Sequence, residues 1–263
     1  MLTSPHNPKI AHLAQLRDKK KRVTSGETLL DGKKIIQMAL DHNVNVKALY
    51  HLPPETAEDS AFLDSVRQRQ VECQEVSVPV FKKICYGENE SGFVALASVP
   101  EKRLEELPRQ PSALYVILDR LEKPGNIGAI LRTSDALQAS AVIACDPKTD
   151  LHNPNVIRAS LGTCFSLPYL QTDAQTLLSF LKQREINCFA LAPGAKTTYL
   201  DGDYRESTAF VAGNEHEGLS AAWTSDFVKK LSIPMRGAAD SLNVSVALTV
   251  VLFEASRQRR MKS

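Results

Sequence analysis

The chain has 263 residues, a length between one large domain and two of modest size. Hydrophobic residues make up 43% and charged residues 24%, which is typical of a globular protein with a substantial core. The longest apolar run, residues 246–253, is far shorter than the ~20 residues that span a bilayer, so we expect no membrane segment. The net charge is only +2, yet residues 1–26 carry six basic side chains and one acidic one. Such an end is typical either of a surface that binds a polyanion or of a solvated tail.

Cysteine and histidine patterns exclude two further classes of protein. The five cysteines are odd in number and widely spaced, which favours free thiols in a reducing compartment over a disulfide framework. Neither cysteines nor histidines show the spacing of a zinc site, so no metal is expected. The first residues also lack the apolar core of a secretory signal. We therefore expect a cytoplasmic protein.

The first hundred residues indicate a small α/β domain. A helix is predicted over 27–41, because a capping-type start precedes apolar residues at helical spacing. A strand over 46–52, a helix over 56–69, a strand over 71–78, a short helix over 79–85 and a last strand over 92–99 follow. Residues 101–112 are rich in charge and proline, and we interpret them as a linker. The predicted domains are therefore 1–100 and 113–263.

The second domain alternates strands with helices. Apolar runs at 113–118, 141–145, 187–192, 209–212 and 231–234 alternate with helical segments near 126–138, 154–161, 173–184 and 241–258. Continuous apolar runs are typical of strands that are covered on both faces, so we predict a mostly parallel sheet between helices.

Three of these strands end in turns that contain glycine, after Ala192, Ala212 and Pro234. In an open parallel sheet, ligands bind outside the carboxyl ends of the strands, so these turns predict a ligand site. The glycine-rich dinucleotide fingerprint and the serine nucleophile elbow are both missing from the sequence. A dinucleotide-dependent oxidoreductase and a serine hydrolase are therefore poor fits.

Three polar clusters interrupt the apolar pattern of this domain. Asn126 stands at the start of an apolar helix that carries Arg132, and an arginine there needs either an anionic partner or a face in solvent. Residues 213–220 place Glu215 and two further titratable side chains between glycines, which also fits a polar loop that caps a helix. Residues 241–247 open the last helix with Ser241 as a simple N-cap, an account that leaves Asn243 unexplained.

Together, these three clusters resemble the three motifs of the SpoU (TrmH-type) branch of the SPOUT methyltransferases. Asn126-x-Gly128-x-x-x-Arg132 is similar to the first motif, and residues 213–220, with the sequence GNEHEGLS, are similar to the second. Residues 233–247, from IPM to SLNVSVA, are similar to the third. The one departure is His216, where members often carry glycine. The smaller first domain resembles the family's ribosomal-protein-like RNA-binding domain in size and order of elements.

The resemblance implies a deep trefoil knot in the second domain, S-adenosylmethionine as cofactor and methyl transfer to a ribose 2′-hydroxyl in RNA. It places the cofactor against residues at the strand ends. These are Leu191, Ala192, Gly213, Ile233, Met235 and Leu242. Arg132 would contact the ribose or its phosphate and stabilise charge, since a guanidinium is a poor base. Glu215, Asn126, Ser241 and Asn243 would order the loop and orient Arg132.

The resemblance also implies a homodimer through the second domain, in which residues of both subunits can complete each active site. The last helix has two apolar faces, with Val251 on one and Phe253 on the other, and only one can cover the sheet. Ribosomal (23S) RNA is the favoured substrate. Transfer RNA, a base methyltransferase and a non-catalytic RNA-binding protein stay open as alternatives.

Overall fold

The computed structural model describes residues 1–86, 91–99 and 101–261. The chain forms two compact units. The first comprises Met1–Pro100 together with His152–Ser166, and the second comprises Glu101–Leu151 together with Leu167–Ser263. Residues 152–166, which the sequence analysis placed in the second domain, therefore belong to the first unit.

Strands and helices alternate along most of the chain. The strands are β1 (Glu27–Asp31), β2 (Asn45–His51), β3 (Glu72–Glu75), β4 (Phe93–Ser98), β5 (Leu114–Asp119), β6 (Ala141–Cys145), β7 (Tyr169–Thr172), β8 (Asn187–Leu191), β9 (Thr208–Ala212) and β10 (Val228–Leu231). The helices are α1 (Pro8–Gln15), α2 (Lys19–Ser25), α3 (Lys33–Asp41), α4 (Ala57–Gln68), α5 (Val78–Ile84), α6 (Pro124–Ala136), α7 (Pro154–Ala159), α8 (Ala174–Gln183) and α9 (Val244–Arg260). Over the described ranges, none of the helices is long and apolar enough to cross a membrane.

The first unit is built on a four-stranded sheet with the order β1-β4-β2-β3. β4 runs antiparallel to both of its neighbours, while β2 and β3 are parallel. α1 packs against α5, and α7 packs against β1. The Thr28 hydroxyl in β1 donates to the His152 carbonyl at 2.6 Å, which fastens the 152–166 segment to this sheet.

The helix predicted over 27–41 is wrong in its first part. Residues 27–31 form β1, whose three central residues are buried and which pairs with β4. Gly32 follows with φ of 101°, a left-handed value that ends the strand and that glycine adopts without strain. The apolar spacing continues across Gly32, so the pattern alone did not separate the strand from α3.

The basic N-terminal end is helical rather than a tail. Asp18 caps α2 by accepting from the backbone N–H of Lys20 at 2.7 Å. Arg22 is only 2% exposed, and its guanidinium donates to the carbonyls of Leu16 at 2.7 Å and Arg17 at 2.8 Å. Arg22 is therefore a structural residue, whereas Lys20 and its lysine neighbours on α2 are exposed.

The second unit contains a parallel six-stranded sheet with the order β10-β8-β9-β5-β6-β7. β5, β6 and β9 are buried along their whole length, which confirms the predicted α/β class with its parallel sheet. One strand was missed and one was misplaced. The edge strand β7 was not predicted, and β10 ends at Leu231, where the sequence analysis had placed the start of a strand.

Residues 101–112 are not a free linker, because their two central leucines belong to the core of the second unit. Leu104 and Leu107 are each 4% exposed and pack within this core. The Arg184 guanidinium also donates to the Leu107 carbonyl at 2.8 Å.

α9 has one buried face and one exposed face. Leu248, Val251 and Leu252 are fully buried in the unit, whereas Val246 is 47% and Phe253 52% exposed. Of the two apolar faces predicted for this helix, the one that contains Val251 is therefore buried in the single chain. The exposed apolar surface of α9 is centred on Phe253 and Val246.

Candidate functional site

A cavity of about 690 Å³ lies in the second unit, at the carboxyl ends of the neighbouring strands β10, β8 and β9. This is the edge of the sheet at which the sequence predicts a ligand, and the volume suits a small molecule. All six residues predicted to bind a cofactor line the cavity. They are Leu191, Ala192, Gly213, Ile233, Met235 and Leu242.

The predicted catalytic residues divide into two groups. Glu215, Ser241 and Asn243 line the cavity, whereas Asn126 and Arg132 do not. Asn126 is nevertheless connected to it, because its Nδ2 donates to Glu215 Oε1 at 2.5 Å. Its Oδ1 accepts a hydrogen bond from Asn243 Nδ2 at 3.1 Å. The side chain of Asn126 thus joins the first motif to the second and the third.

The start of α9 differs from the simple N-cap expected at Ser241. Asn243 is the capping residue, since its Oδ1 accepts from the backbone N–H of Ser245 at 2.9 Å and from the Ser245 hydroxyl at 2.6 Å. Ser241 is exposed in the loop before the helix. Asn243 therefore serves both the helix cap and the bond to Asn126.

Arg132 lies on the exposed side of α6. In the described part of the chain, its guanidinium has neither a hydrogen bond nor an ion pair, and it does not line the cavity of its own subunit. The solvent-facing orientation that the sequence left open is therefore the one observed in the single chain. α6 packs on α9, and Thr133 Oγ1 lies 3.1 Å from Thr249 Oγ1 across that contact.

Asn214 is a site residue for which the sequence analysis proposed no role. It is 5% exposed, and its Oδ1 accepts from the backbone N–H groups of His216 at 2.9 Å and Glu217 at 3.1 Å. Its Nδ2 donates to the Arg120 carbonyl at 3.0 Å. The side chain therefore shapes the loop that presents Glu215. Its position inside the second motif was the signal that could have found it.

Asp119 is a second residue that the sequence analysis missed. It is fully buried at the end of β5, and its carboxylate accepts from the Ser220 backbone N–H at 2.6 Å and from the Ser220 hydroxyl at 3.2 Å. Buried carboxylates need such donors, because an unpaired buried charge is costly. The two hydrogen bonds fix the end of the loop that follows β9.

Gly213 has no room for a side chain. A Cβ atom there would lie 2.4 Å from the carbonyl carbon of Gly218 and 2.6 Å from the backbone nitrogen of Leu219. The space is therefore taken by the chain's own loop, although Gly213 also lines the cavity.

The titratable groups behind this loop form ion pairs. The Lys148 ammonium, which donates to the Glu122 carboxylate, holds the pKa of Glu122 below its usual value, and the Asn214 amide acts in the same direction. The same contact raises the pKa of Lys148. Within residues 1–86, 91–99 and 101–261, no group of three acidic, histidine or cysteine side chains is placed to hold a metal ion.

A parallel α/β sheet with a small-molecule cavity at its carboxyl edge, bordered by three ordered polar motifs, defines a ligand-binding domain of the methyltransferase type that the sequence resembles. Comparison with family models supports this class directly. Residues 113–253 match the SpoU rRNA Methylase family, and residues 7–95 match the MRM3-like substrate binding domain. The chain belongs to the SpoU rRNA methylase family.

Relatives are similar over nearly the whole chain. The 23S rRNA (uridine(2479)-2′-O)-methyltransferase of Streptomyces viridochromogenes is 32% identical over 94% of this chain and 88% of its own. The 23S rRNA (guanosine(2553)-2′-O)-methyltransferase RlmP of Bacillus subtilis (strain 168) is 25% identical over 96% of this chain and 97% of its own. The crystal structure of the SpoU methyltransferase AviRb from S. viridochromogenes, in complex with the cofactor AdoMet, matches with a TM-score of 0.86 at 30% identity and covers 97% of this chain and 99% of that one.

Proposed function

We propose that this protein transfers a methyl group from S-adenosylmethionine to a ribose 2′-hydroxyl in RNA. The observation that carries the proposal is the cavity at the carboxyl edge of the sheet, because the second and third motifs line it and the first is hydrogen-bonded to them. Similarity to named 23S rRNA 2′-O-methyltransferases supports both the reaction and ribosomal (23S) RNA as the substrate.

The cavity has the chemistry that such a cofactor requires. Leu191, Ile233 and Leu242 give it an apolar wall for an adenosyl group. Glu215, Ser241 and Asn243 bring polar groups to the same space. Carboxylate and amide groups of this kind suit ribose hydroxyls and an ammonium. We therefore propose that these residues hold S-adenosylmethionine, which supplies a methyl group activated by its sulfonium.

The protein's share of the reaction is positioning and charge stabilisation. In-line displacement requires the reacting atoms to be held close and aligned, and fixed dipoles lower the cost of charge that develops. We propose that the bonds from Asn126 to Glu215 and Asn243 fix the polar wall. Arg132 would stabilise the ribose oxygen as the hydroxyl proton passes to solvent water, since a guanidinium donates hydrogen bonds and does not serve well as a base.

We propose that the active protein is a homodimer formed through the second unit. Two observations support this. Val246 and Phe253 leave an apolar surface on α9, and Arg132 lies exposed on the adjacent helix without lining its own cavity. A two-fold pairing through α9 would cover the apolar surface and bring Arg132 of one copy to the cavity of the other. The occupant of this surface is thus a second copy of the same chain.

We propose that the first unit binds the RNA substrate. The match of residues 7–95 to a substrate-binding domain supports this role, as do the exposed lysines of α2. Lys20 and Lys21 lie in the first turn of α2, where the helix dipole disfavours cations, so a phosphate that neutralised them would be favoured.

We further propose a trefoil knot in the second unit. The sheet order, in which the chain passes from β9 over β8 to β10, and the return of α9 onto α6 and β9 support this topology. An experimental structure in which the backbone of this unit forms no knot would contradict the proposal.

The proposed ribosomal substrate and the free cysteines support a cytoplasmic location, which fractionation of cells would test.

The test is methyl transfer with labelled S-adenosylmethionine and the purified full chain, using ribosomal and transfer RNA lacking this modification as separate substrates. Digestion to nucleosides should place the label in a 2′-O-methylnucleoside from ribosomal RNA. Label in a base would favour a base methyltransferase, and label only from transfer RNA would change the substrate. A protein that binds RNA without binding cofactor would be a non-catalytic member of the fold, and the proposal would be wrong.

A further inference from the structure

Three loops that follow adjacent strands are joined by charged side chains behind the cavity. Glu217 lies in the loop after β9, Arg120 in the loop after β5 and Lys148 in the loop after β6. Arg120 Nη1 donates to Glu217 Oε2 at 2.6 Å, and Lys148 Nζ donates to Glu217 Oε1 at 3.4 Å. Each carboxylate oxygen of Glu217 therefore receives a cation from a different loop.

The same groups also hold the backbone of the 214–218 loop. Arg120 Nη2 donates to the Gly218 carbonyl at 3.3 Å. At the other end of the loop, Asn214 Nδ2 donates to Glu122 Oε1 at 3.2 Å, and Lys148 donates to the same Glu122 oxygen. Both ends of the loop are therefore fastened to the loop after β5, and Lys148 links that loop to the one after β6.

The backbone of Arg120 has a conformation that is unusual for a residue other than glycine. Its φ is 57°, in the left-handed region that few residues other than glycine occupy. Its backbone N–H donates to the Cys145 carbonyl at 2.9 Å, which holds this conformation against β6. The chain therefore accepts a disfavoured backbone angle at the residue that reaches Glu217.

Glu215 and Glu217 lie in the same loop but make different contacts. Glu215 lines the cavity and bonds to Asn126, whereas Glu217 does not line the cavity and faces the two cations. We infer that Arg120, Lys148 and Glu217 form an ion-pair clamp of positioning residues, which holds the 214–218 loop so that Glu215 is presented to the cofactor. This inference rests on the proposed function, because it assigns Glu215 to the cofactor site.

The clamp sets the position of the 214–218 loop and adds little to the free energy of unfolding. Its side chains are between 26% and 51% exposed, and exposed ion pairs contribute little to the free energy of unfolding. A loop that occupies several positions binds its ligand more weakly, in proportion to the fraction that is competent. The effect of Glu217→Gln should therefore appear in cofactor affinity while the melting temperature stays close to that of the wild type. Arg120 variants are compared by cofactor affinity alone, because Arg120 Nε also lies 3.7 Å from the buried Asp119 carboxylate.

The experiment compares Glu217→Gln, Arg120→Gln and the double variant by titration calorimetry with S-adenosylmethionine. Each single variant should raise the cofactor Kd about fivefold. The double variant should raise it by less than the product of the two single effects, since both remove the shared Arg120–Glu217 contact. Arg120→Lys, which keeps a cation beside Glu217, should recover part of the affinity. The matched control is Asp203→Asn, which breaks the similarly exposed Asp203–Arg205 pair in the same unit and should leave the Kd unchanged.

Salt provides the second measurement. At about 1 M KCl the screening length falls to ~3 Å, so the Kd of the wild type should approach that of Glu217→Gln measured in the same buffer. The clamp alone would be overturned if the wild type and Glu217→Gln bound S-adenosylmethionine with the same Kd. It would also be overturned if the ratio of these two Kd values did not change with salt. Wild-type protein that binds no cofactor would overturn the proposed function itself.

Discussion

Removal of the Asn126 side chain tests the centre of the proposed site. Asn126→Ala deletes one hydrogen bond to the charged Glu215 carboxylate and one from the neutral Asn243 amide. Hydrogen bonds to charged groups contribute about 1.5–3 kcal/mol and neutral ones about 1 kcal/mol, and partial exposure reduces both. A loss of about 2–3 kcal/mol in transition-state stabilisation corresponds to a kcat/KM about 30- to 150-fold lower.

The assay is steady-state methyl transfer to ribosomal RNA, with cofactor binding measured separately. Asn153→Ala is the matched control, because Asn153 caps α7 by accepting from the Asn155 N–H at 2.9 Å and belongs to the first unit. It should lose one side-chain hydrogen bond outside the site while methyl transfer stays near that of the wild type. Glu215→Ala combined with Asn126→Ala should cost less than the sum of the two single variants, because both remove the bond between Asn126 and Glu215. Full activity of the folded Asn126→Ala protein would refute the proposed role of the three-residue connection.

Four further outcomes are expected. Arg132→Ala should lose methyl transfer by at least about 100-fold and keep cofactor affinity, and Arg132→Lys should not restore it, because a point charge does not reproduce a planar guanidinium; a fully active Arg132→Ala enzyme would contradict this. Replacement of Lys19–Lys21 by alanine should flatten the salt dependence of RNA binding by about 0.7–0.9 per lost phosphate contact, and an unchanged slope would make these lysines a solvated helix face. Phe253→Asp should shift the mass in sedimentation equilibrium from about twice 29.0 kDa to 29.0 kDa and reduce activity, whereas an active, well-folded wild-type monomer would exclude the dimer. Burial raises the pKa of Asp31 to about 6, although the Tyr86 N–H opposes the shift, so the stability contributed by protonated Asp31 is complete below about pH 4 and is lost as the pH rises through 6. Asp31→Asn should therefore raise the melting temperature more at pH 8 than at pH 4. An equal change at both pH values would refute the assignment.

Much of the fold could be predicted because its signals are local. The buried strands of the second unit are continuous apolar runs, and these identify a parallel sheet wherever both faces are covered. The errors fall where local signals conflict or are weak. β7 is a four-residue edge strand with one fully buried side chain, Leu170, so its alternation is too short to detect. At residues 27–41, one apolar spacing runs through both a strand and a helix.

The predicted residues that line the cavity could be found because each lies in a contiguous motif or at the end of a predicted strand. The contacts among them could not, because they depend on which loops the sheet order brings together. Asn126 and Asn243 are far apart in sequence, and nothing in the spacing of either indicates their bond. Arg120 likewise lies outside the three motifs, and the position of Glu217 within the second gives no sign of its partner. An exposed charge in a loop usually indicates only a solvated surface. Buried Arg22 shows the opposite case, where a basic residue within a basic run proved structural.

The 152–166 segment limits how this protein can be dissected. A fragment that ends at residue 100 would lack α7, which covers β1, and would lose the bond between Thr28 and the His152 carbonyl. The complementary fragment would carry a segment deprived of the sheet on which it packs. Neither residues 1–100 nor residues 101–263 therefore correspond to one complete unit. A deletion or fusion point at residue 100 would separate residues 152–166 from the rest of the first unit. An exchange of the first unit between relatives would have to transfer two separated stretches of sequence together.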